Sequence, residues 1–209
     1  MNTHKLKFRS LFLVVFLMLA TLSCKNESKN GANTEDADNE MPYPSKKIKE
    51  SDERKVPTGT VNVQFDGESA SFAAFDPNMT TDVTYLNNGI QFVITSMKKE
   101  AVLVNMYAPD FLKKIPITIS QQSYALEGEA AYKVETQSRL EVTIPNNPVQ
   151  KRDAKVLYEG TVTLNELSEN RLVVTFSGTG LPISDSKTDF FPLSGKIVLE
   201  NFNVYDFRD

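Results

Sequence analysis

Between Gly59 and Asp209 run after run carries apolar residues at every second position, and a period of two builds strands, not helices. Val61, Val63 and Phe65 alternate with Thr60, Asn62 and Gln64, Asp66-Gly67 follows, and Phe72 and Ala74 resume the pattern. An Asp-Gly pair between alternating runs predicts a tight hairpin, because glycine adopts the positive φ that such a turn requires. Val83 and Tyr85 lead to a second turn at Asn87-Asn88-Gly89, after which Ile90, Phe92 and Ile94 share one face. Beyond Lys98-Lys99, Val102, Val104 and Met106 repeat the period. Each of these reads as an antiparallel strand with one dry face.

The pattern breaks at Ala108–Lys114, where Pro109 fits the start of a helical turn or crossover and Pro116 its end. Ile117 and Ile119 resume strand character. Ala130, Tyr132 and Val134 then alternate after Gly128, as do Leu140, Val142 and Ile144 before Pro145 and Asn146-Asn147-Pro148. Val156, Tyr158, Val162 and Leu164 share one parity, and Gly160 among them predicts a bulge or a close approach. Leu172, Val174 and Phe176 make the next strand, and residues 178–191 read as a long loop. Ile197 and Leu199 lie on one parity and Phe202 and Val204 on the other, so a bend is expected at Glu200-Asn201. About ten strands with almost no helix predict an all-β fold. Uneven strand lengths, and crossing segments at Ala108 and Gly178, favour an antiparallel two-sheet β-sandwich. The alternative is a lipocalin-like β-barrel.

The N-terminus differs in kind. Lys5, Lys7 and Arg9 precede the apolar run from Leu11 to Leu19, which is too short to span a bilayer and suits a signal peptide. Ala20-Thr21-Leu22-Ser23 then lead to Cys24, the single cysteine of the chain. This arrangement resembles a bacterial lipoprotein cleavage site. Thr21 stands where leucine is usual, as in the looser signals of the Bacteroidetes. The resemblance implies a signal peptide over 1–23, lipidation (palmitate) at Cys24, and a lipid anchor in the outer membrane, since Lys25 replaces the aspartate that would retain it at the inner one. Several acyl chains hold a soluble domain stably where one holds it only reversibly. The competing reading is a secreted protein with a leftover thiol. Residues 24–57 are rich in Asn, Glu, Asp and Lys and poor in aliphatic side chains, which predicts a disordered polar tether. Lys25-Asn26-Glu27 is loosely similar to a surface-export signal, so the periplasmic and cell-surface sides both stay open. Residues 58–209 form the single all-β domain.

Within that domain, Gly160-Thr161-Val162-Thr163-Leu164 and Leu172-Val173-Val174-Thr175-Phe176-Ser177-Gly178, followed by Ser194-Gly195-Lys196-Ile197-Val198-Leu199, form a recognisable closing set. They resemble the last strands of small Bacteroidetes and Flavobacteria-type β-rich lipoproteins. Those proteins are largely of unknown function, so the resemblance implies architecture and compartment, and no activity.

Residue inventory excludes much chemistry. His4 is the only histidine and lies in the signal segment, so with Cys24 lipidated the mature chain has no imidazole or thiol. That removes Ser-His-Asp and Cys-His catalysis and His- or Cys-based metal sites. A net charge of −4 without a basic stripe argues against nucleic acid. Carboxylates remain. Glu100, Glu127, Glu129, Glu135, Glu141, Asp153, Glu159 and Glu200 have the residue type of a glycan hydrolase, but no catalytic residue is assigned. Asp185 and Asp189, alternating with Ser186, Lys187 and Thr188, are weak candidates for calcium, the only cofactor considered. Asp76-Pro77-Asn78 reads as a turn. Tyr132 and Tyr158 fit core parity. Tyr124, Tyr205, Phe190 and Phe191 are candidates for ligand or partner contact, because neither the strand pattern nor a turn accounts for them. The expected function is a lipid-anchored envelope protein with a non-catalytic binding or structural role, meeting a protein or glycan partner through its loops or one sheet face. A carboxylate-dependent glycan hydrolase and a lipocalin-like small-ligand binder are the alternatives.

Overall fold

The computed structural model describes residues 54–73, 75–79, 81–145, 154–183 and 189–209. The signal segment, Cys24, nearly all of the tether, Asp153 and Asp185 lie outside the described residues. Strands β1 (Thr58–Phe65), β2 (Glu68–Phe72), β3 (Asp82–Leu86), β4 (Gly89–Thr95) and β5 (Ala101–Tyr107) come first. A 3-10 turn (Phe111–Lys113), β6 (Ile117–Ile119), a second 3-10 turn (Ser123–Ala125) and helix α1 (Ala130–Lys133) follow. Then come β7 (Gln137–Thr143), β8 (Ala154–Leu167), β9 (Arg171–Pro182), β10 (Phe191–Glu200) and β11 (Asn203–Asp206). The Asp66-Gly67 turn has both residues at positive φ, 48° and 78°, as the hairpin signal requires.

These strands do not form a sandwich. They make one curled, mostly antiparallel sheet in the order β11-β3-β4-β5-β7-β8-β9-β10-β1-β2, with β6 paired to β8, and the sheet is an open half-barrel. Among the described strands, the β11–β3 pair alone runs parallel. The expected second crossing does not exist: Gly178 lies inside β9, and Gly180 pairs with Phe191, so β9 and β10 form a continuous hairpin ladder. Register shifts at Leu157/Glu159 and Leu164/Glu166 bend β8, so one sheet curls where two were expected to stack. The first bulge also overturns the sequence parity. Leu157 joins Val162 and Leu164 in the contiguous core, while Val156 is buried outside that cluster and Tyr158 is only half-buried. Gly160 has φ 138°, and a Cβ there would stand 2.2 Å from the Ser177 carbonyl oxygen, so the strand crosses its neighbour there only without a side chain.

The barrel alternative fails too, because the terminal strands β2 and β11 are not paired. Two small stitches cross the open side. Asp76 N–H donates to Thr95 O (2.8 Å). At the other end Lys55 N–H donates to Asn203 Oδ1 (3.1 Å), and the Asn201 carboxamide donates to Val56 O (3.0 Å). The concave side is filled by one apolar core including Ile90, Phe92, Val104, Met106, Phe111, Leu140, Leu164, Leu199 and Phe202. Burying each such side chain contributes about 1.5–3 kcal/mol.

A fork opens between β7 and β8. They pair only at Glu141–Thr143, and past that point β8 pairs with β6. Gln122 plugs the fork at 1% exposure. Its Nε2 donates to Gly160 O (3.1 Å) and Ser120 O (3.2 Å), and its Oε1 accepts from Ser138 Oγ (2.9 Å). Residues 130–134 do not continue as a strand. Ala130–Lys133 forms one helical turn, closed by Lys133 on Glu129 at 2.5 Å, because alanine favours a helix where no partner strand is at hand. At the C-terminus Asn201 takes a positive φ of 54°, which is the expected bend, and Phe202 is buried while Val204 is exposed.

Candidate functional site

Inward positions on the β3–β4–β5–β7 side are Val83, then Ile90, Phe92 and Ile94, then Val102, Val104 and Met106, then Leu140 and Val142. The residues between them therefore face outward. Register lines these up in a row. Tyr205 stands opposite Thr84, Thr84 opposite Gln91, Gln91 opposite Asn105, and Asn105 opposite Arg139. In the adjacent row Val93 faces Leu103, and Leu103 faces Glu141. Asp82, Thr84, Gln91, Val93, Leu103, Asn105, Tyr205 and Phe207 line a shallow groove of about 600 Å³ on this face. Val93 is 40% and Phe207 51% exposed, so apolar surface is offered beside the polar row.

The polar groups here have bonding capacity to spare. Gln91 Oε1 accepts only a long contact from the Tyr107 hydroxyl (3.4 Å). Among the described residues the Thr84 hydroxyl and the Asn105 carboxamide have no side-chain partner. Asp82 Oδ2 accepts from Arg54 at 3.2 Å, but among the described residues Oδ1 is buried without a donor. Buried acceptors left unpaired are uncommon and call for a reason.

At the far end of the row Tyr124 stands over β7. Its hydroxyl donates to Glu141, and the Arg139 guanidinium lies 5.1 Å from the ring centre. Arg139 Nε also donates to Glu141 Oε1 (2.7 Å). Burial, then the bond to Glu141, pushes the Tyr124 phenol well above its ordinary range. Tyr124 is thus held as a neutral donor, and Glu141 is occupied by two partners.

The loop candidates lie elsewhere. Phe190 and Asp189 border a groove of about 430 Å³ with Phe65, Asp66, Glu68, Lys155, Pro182 and Phe191. Phe191 faces the core, while Phe190 is 50% exposed and meets Tyr158 at 5.5 Å between centroids. The Lys155 ammonium sits 4.7 Å from the centre of the Phe65 ring. Asp189 is separated from any described ligand set: among the described residues no group of three or more His, Cys, Asp or Glu could hold a metal. Of the hydrolase-type carboxylates, Glu100 accepts from Ser96, Glu129 pairs with Lys133 and Glu200 with Arg171. Glu135 and Glu159 are exposed.

The structure thus brings Phe190, Phe191 and Asp189 together at one end and sets Tyr205 and Tyr124 on one sheet face. Sequence reasoning missed Asp82, Thr84, Gln91, Asn105 and Phe207. Asn is disfavoured in strands, so Asn105 within an apolar run was the available signal. Aligning these residues requires the register. Comparison with protein-family models, with curated proteins and with solved structures gives no match for this chain.

Proposed function

We propose that this is a non-catalytic binding module, lipid-anchored through Cys24 in the outer membrane, whose outer sheet face takes a small hydroxyl-rich ligand of carbohydrate type. The observation that carries it is the outward row Tyr205, Thr84, Gln91 and Asn105 beside exposed Val93 and Phe207, in which Thr84 and Asn105 have no side-chain partner among the described residues and Gln91 has only the long contact from Tyr107. Sugars need both kinds of surface, hydrogen-bonding groups at the ring edge and an apolar or aromatic patch under the C–H face. The ligand sits on an open face here, because the concave side is filled with side chains.

Binding without hydrolysis is favoured by spacing. Asp82 on β3 and Glu141 on β7 lie three strands apart, about 14 Å at the usual strand separation. Glycosidase carboxylates stand roughly 5–10 Å apart. Glu141 is in addition bound by Tyr124 and Arg139. The anchor rests on the resemblance of the segment before Cys24 to a lipoprotein signal.

Titration of the isotope-labelled full chain with neutral oligosaccharides of two to six sugars tests the ligand. Amide shifts centred on β3, β4, β5 and the 205–207 segment are expected. No shift with any of them overturns the reading. For the anchor, intact mass from the membrane fraction is expected to carry acyl chains that Cys24→Ala loses; an unmodified wild-type mass refutes it.

A further inference from the structure

The groove does not exhaust the polar row. Asn105 stands opposite Arg139, so the row runs without a gap from Tyr205 on β11 to Arg139 on β7, over five adjacent strands. At about 4.8 Å per strand it is about 19 Å long, much longer than one sugar ring. Val93 and Leu103 form an apolar rail alongside it. The Tyr205 ring closes one end, and Tyr124, standing on Arg139, closes the other. Charges along the row cancel in pairs, Asp82 with Arg54 and Glu141 with Arg139. A neutral strip gives a polyanion no reason to bind and leaves hydrogen bonding and ring contact as the recognition chemistry.

We infer that this face takes a linear, neutral oligosaccharide laid across the strands from Tyr205 to Tyr124, with Thr84, Gln91 and Asn105 as successive hydrogen-bonding positions. The extension rests on the carbohydrate-type ligand proposed above and adds the length and direction of the chain. Consecutive sugar rings repeat the same edge hydroxyls, as consecutive strands here repeat the same outward polar position.

The test uses the full chain in detergent and calorimetric titration with neutral, linear glucose, xylose, mannose and N-acetylglucosamine oligomers of two to six sugars. For the preferred series, affinity is expected to rise about tenfold or more between the dimer and the longest oligomer, since each added ring meets a further strand. Tyr124→Ala is expected to lower affinity for the longest oligomer several-fold and leave the dimer unaffected, with melting curves to confirm folding. The wild-type length series stands by itself if that variant unfolds. A dimer that binds as tightly as the hexamer overturns the extended site and leaves the shorter groove intact. If no oligomer binds, both readings fall.

Discussion

The two outer faces of the sheet treat their polar side chains differently. On the long-strand side, outward groups satisfy one another. The Thr118 and Thr163 hydroxyls meet at 2.9 Å, Asn165 Nδ2 donates to Thr175 Oγ1 at 2.9 Å, and Ser71 Oγ donates to Asn62 Oδ1 at 2.7 Å. On the β3–β4–β5 side, Thr84 and Asn105 stand in cross-strand register with polar neighbours and still make no side-chain bond among the described residues. Cross-strand polar pairs stabilise a sheet when they bond, so the first face contributes to stability and the second forgoes that contribution. Functional surfaces commonly carry such a deficit.

The largest expected effect lies where the two halves meet. Gln122→Ala removes a carboxamide that satisfies Gly160 O, Ser120 O and Ser138 Oγ, and it leaves a void in the fork. We expect a loss of roughly 2–4 kcal/mol in urea unfolding. A loss below about 1 kcal/mol would mean that the halves are joined well enough by β8 alone.

A crossed pair of variants sharpens the contrast between the faces. Asn105→Val replaces a poor strand former with a good one at an outward position of β5. It is expected to hold or raise stability by up to about 1 kcal/mol while lowering oligosaccharide affinity about tenfold. Thr163→Val breaks the bond to Thr118. It is expected to cost less than about 1 kcal/mol and leave affinity unchanged. If both variants shift stability alike and neither shifts binding, the two faces do not differ in role.

Sequence alone carries the strands far and their assembly less far. The Asp66-Gly67 and Asn87-Asn88 turns and the alternation of β1, β4 and β5 were legible, because turn chemistry and period are local. The single curled sheet was not, since it depends on bulges at Tyr158 and Asn165 that leave each residue ordinary and change only which neighbour it meets. Those bulges also turned Leu157 inward against the apparent parity. The Ala130–Lys133 turn was misread because three alternating residues are too few to outweigh alanine's helix preference. For the site, Tyr124 and Tyr205 stood out as aromatics without a core role. Thr84, Gln91 and Asn105 looked like ordinary solvated positions until pairing set them in line.

The smallest effect concerns the Tyr124 end of the row and appears in alkali. The Tyr124 phenol is raised by burial and then by its bond to Glu141; burial also raises Tyr85 and Tyr107. A raised folded-state value means that the native protein holds these protons more tightly than the unfolded chain. Their contribution is therefore complete below the unfolded phenol value, near pH 10, and is lost as pH climbs through the folded values. Melting temperature is expected to fall over a window that opens near pH 10, the unfolded phenol value. Tyr124→Phe, which removes one of the three titrations, is expected to show a shallower fall over that window. Identical slopes for wild type and Tyr124→Phe would show that the Glu141 bond does not hold the phenol proton. The Tyr124 end of the row would then lose the fixed geometry that a terminal ring contact requires.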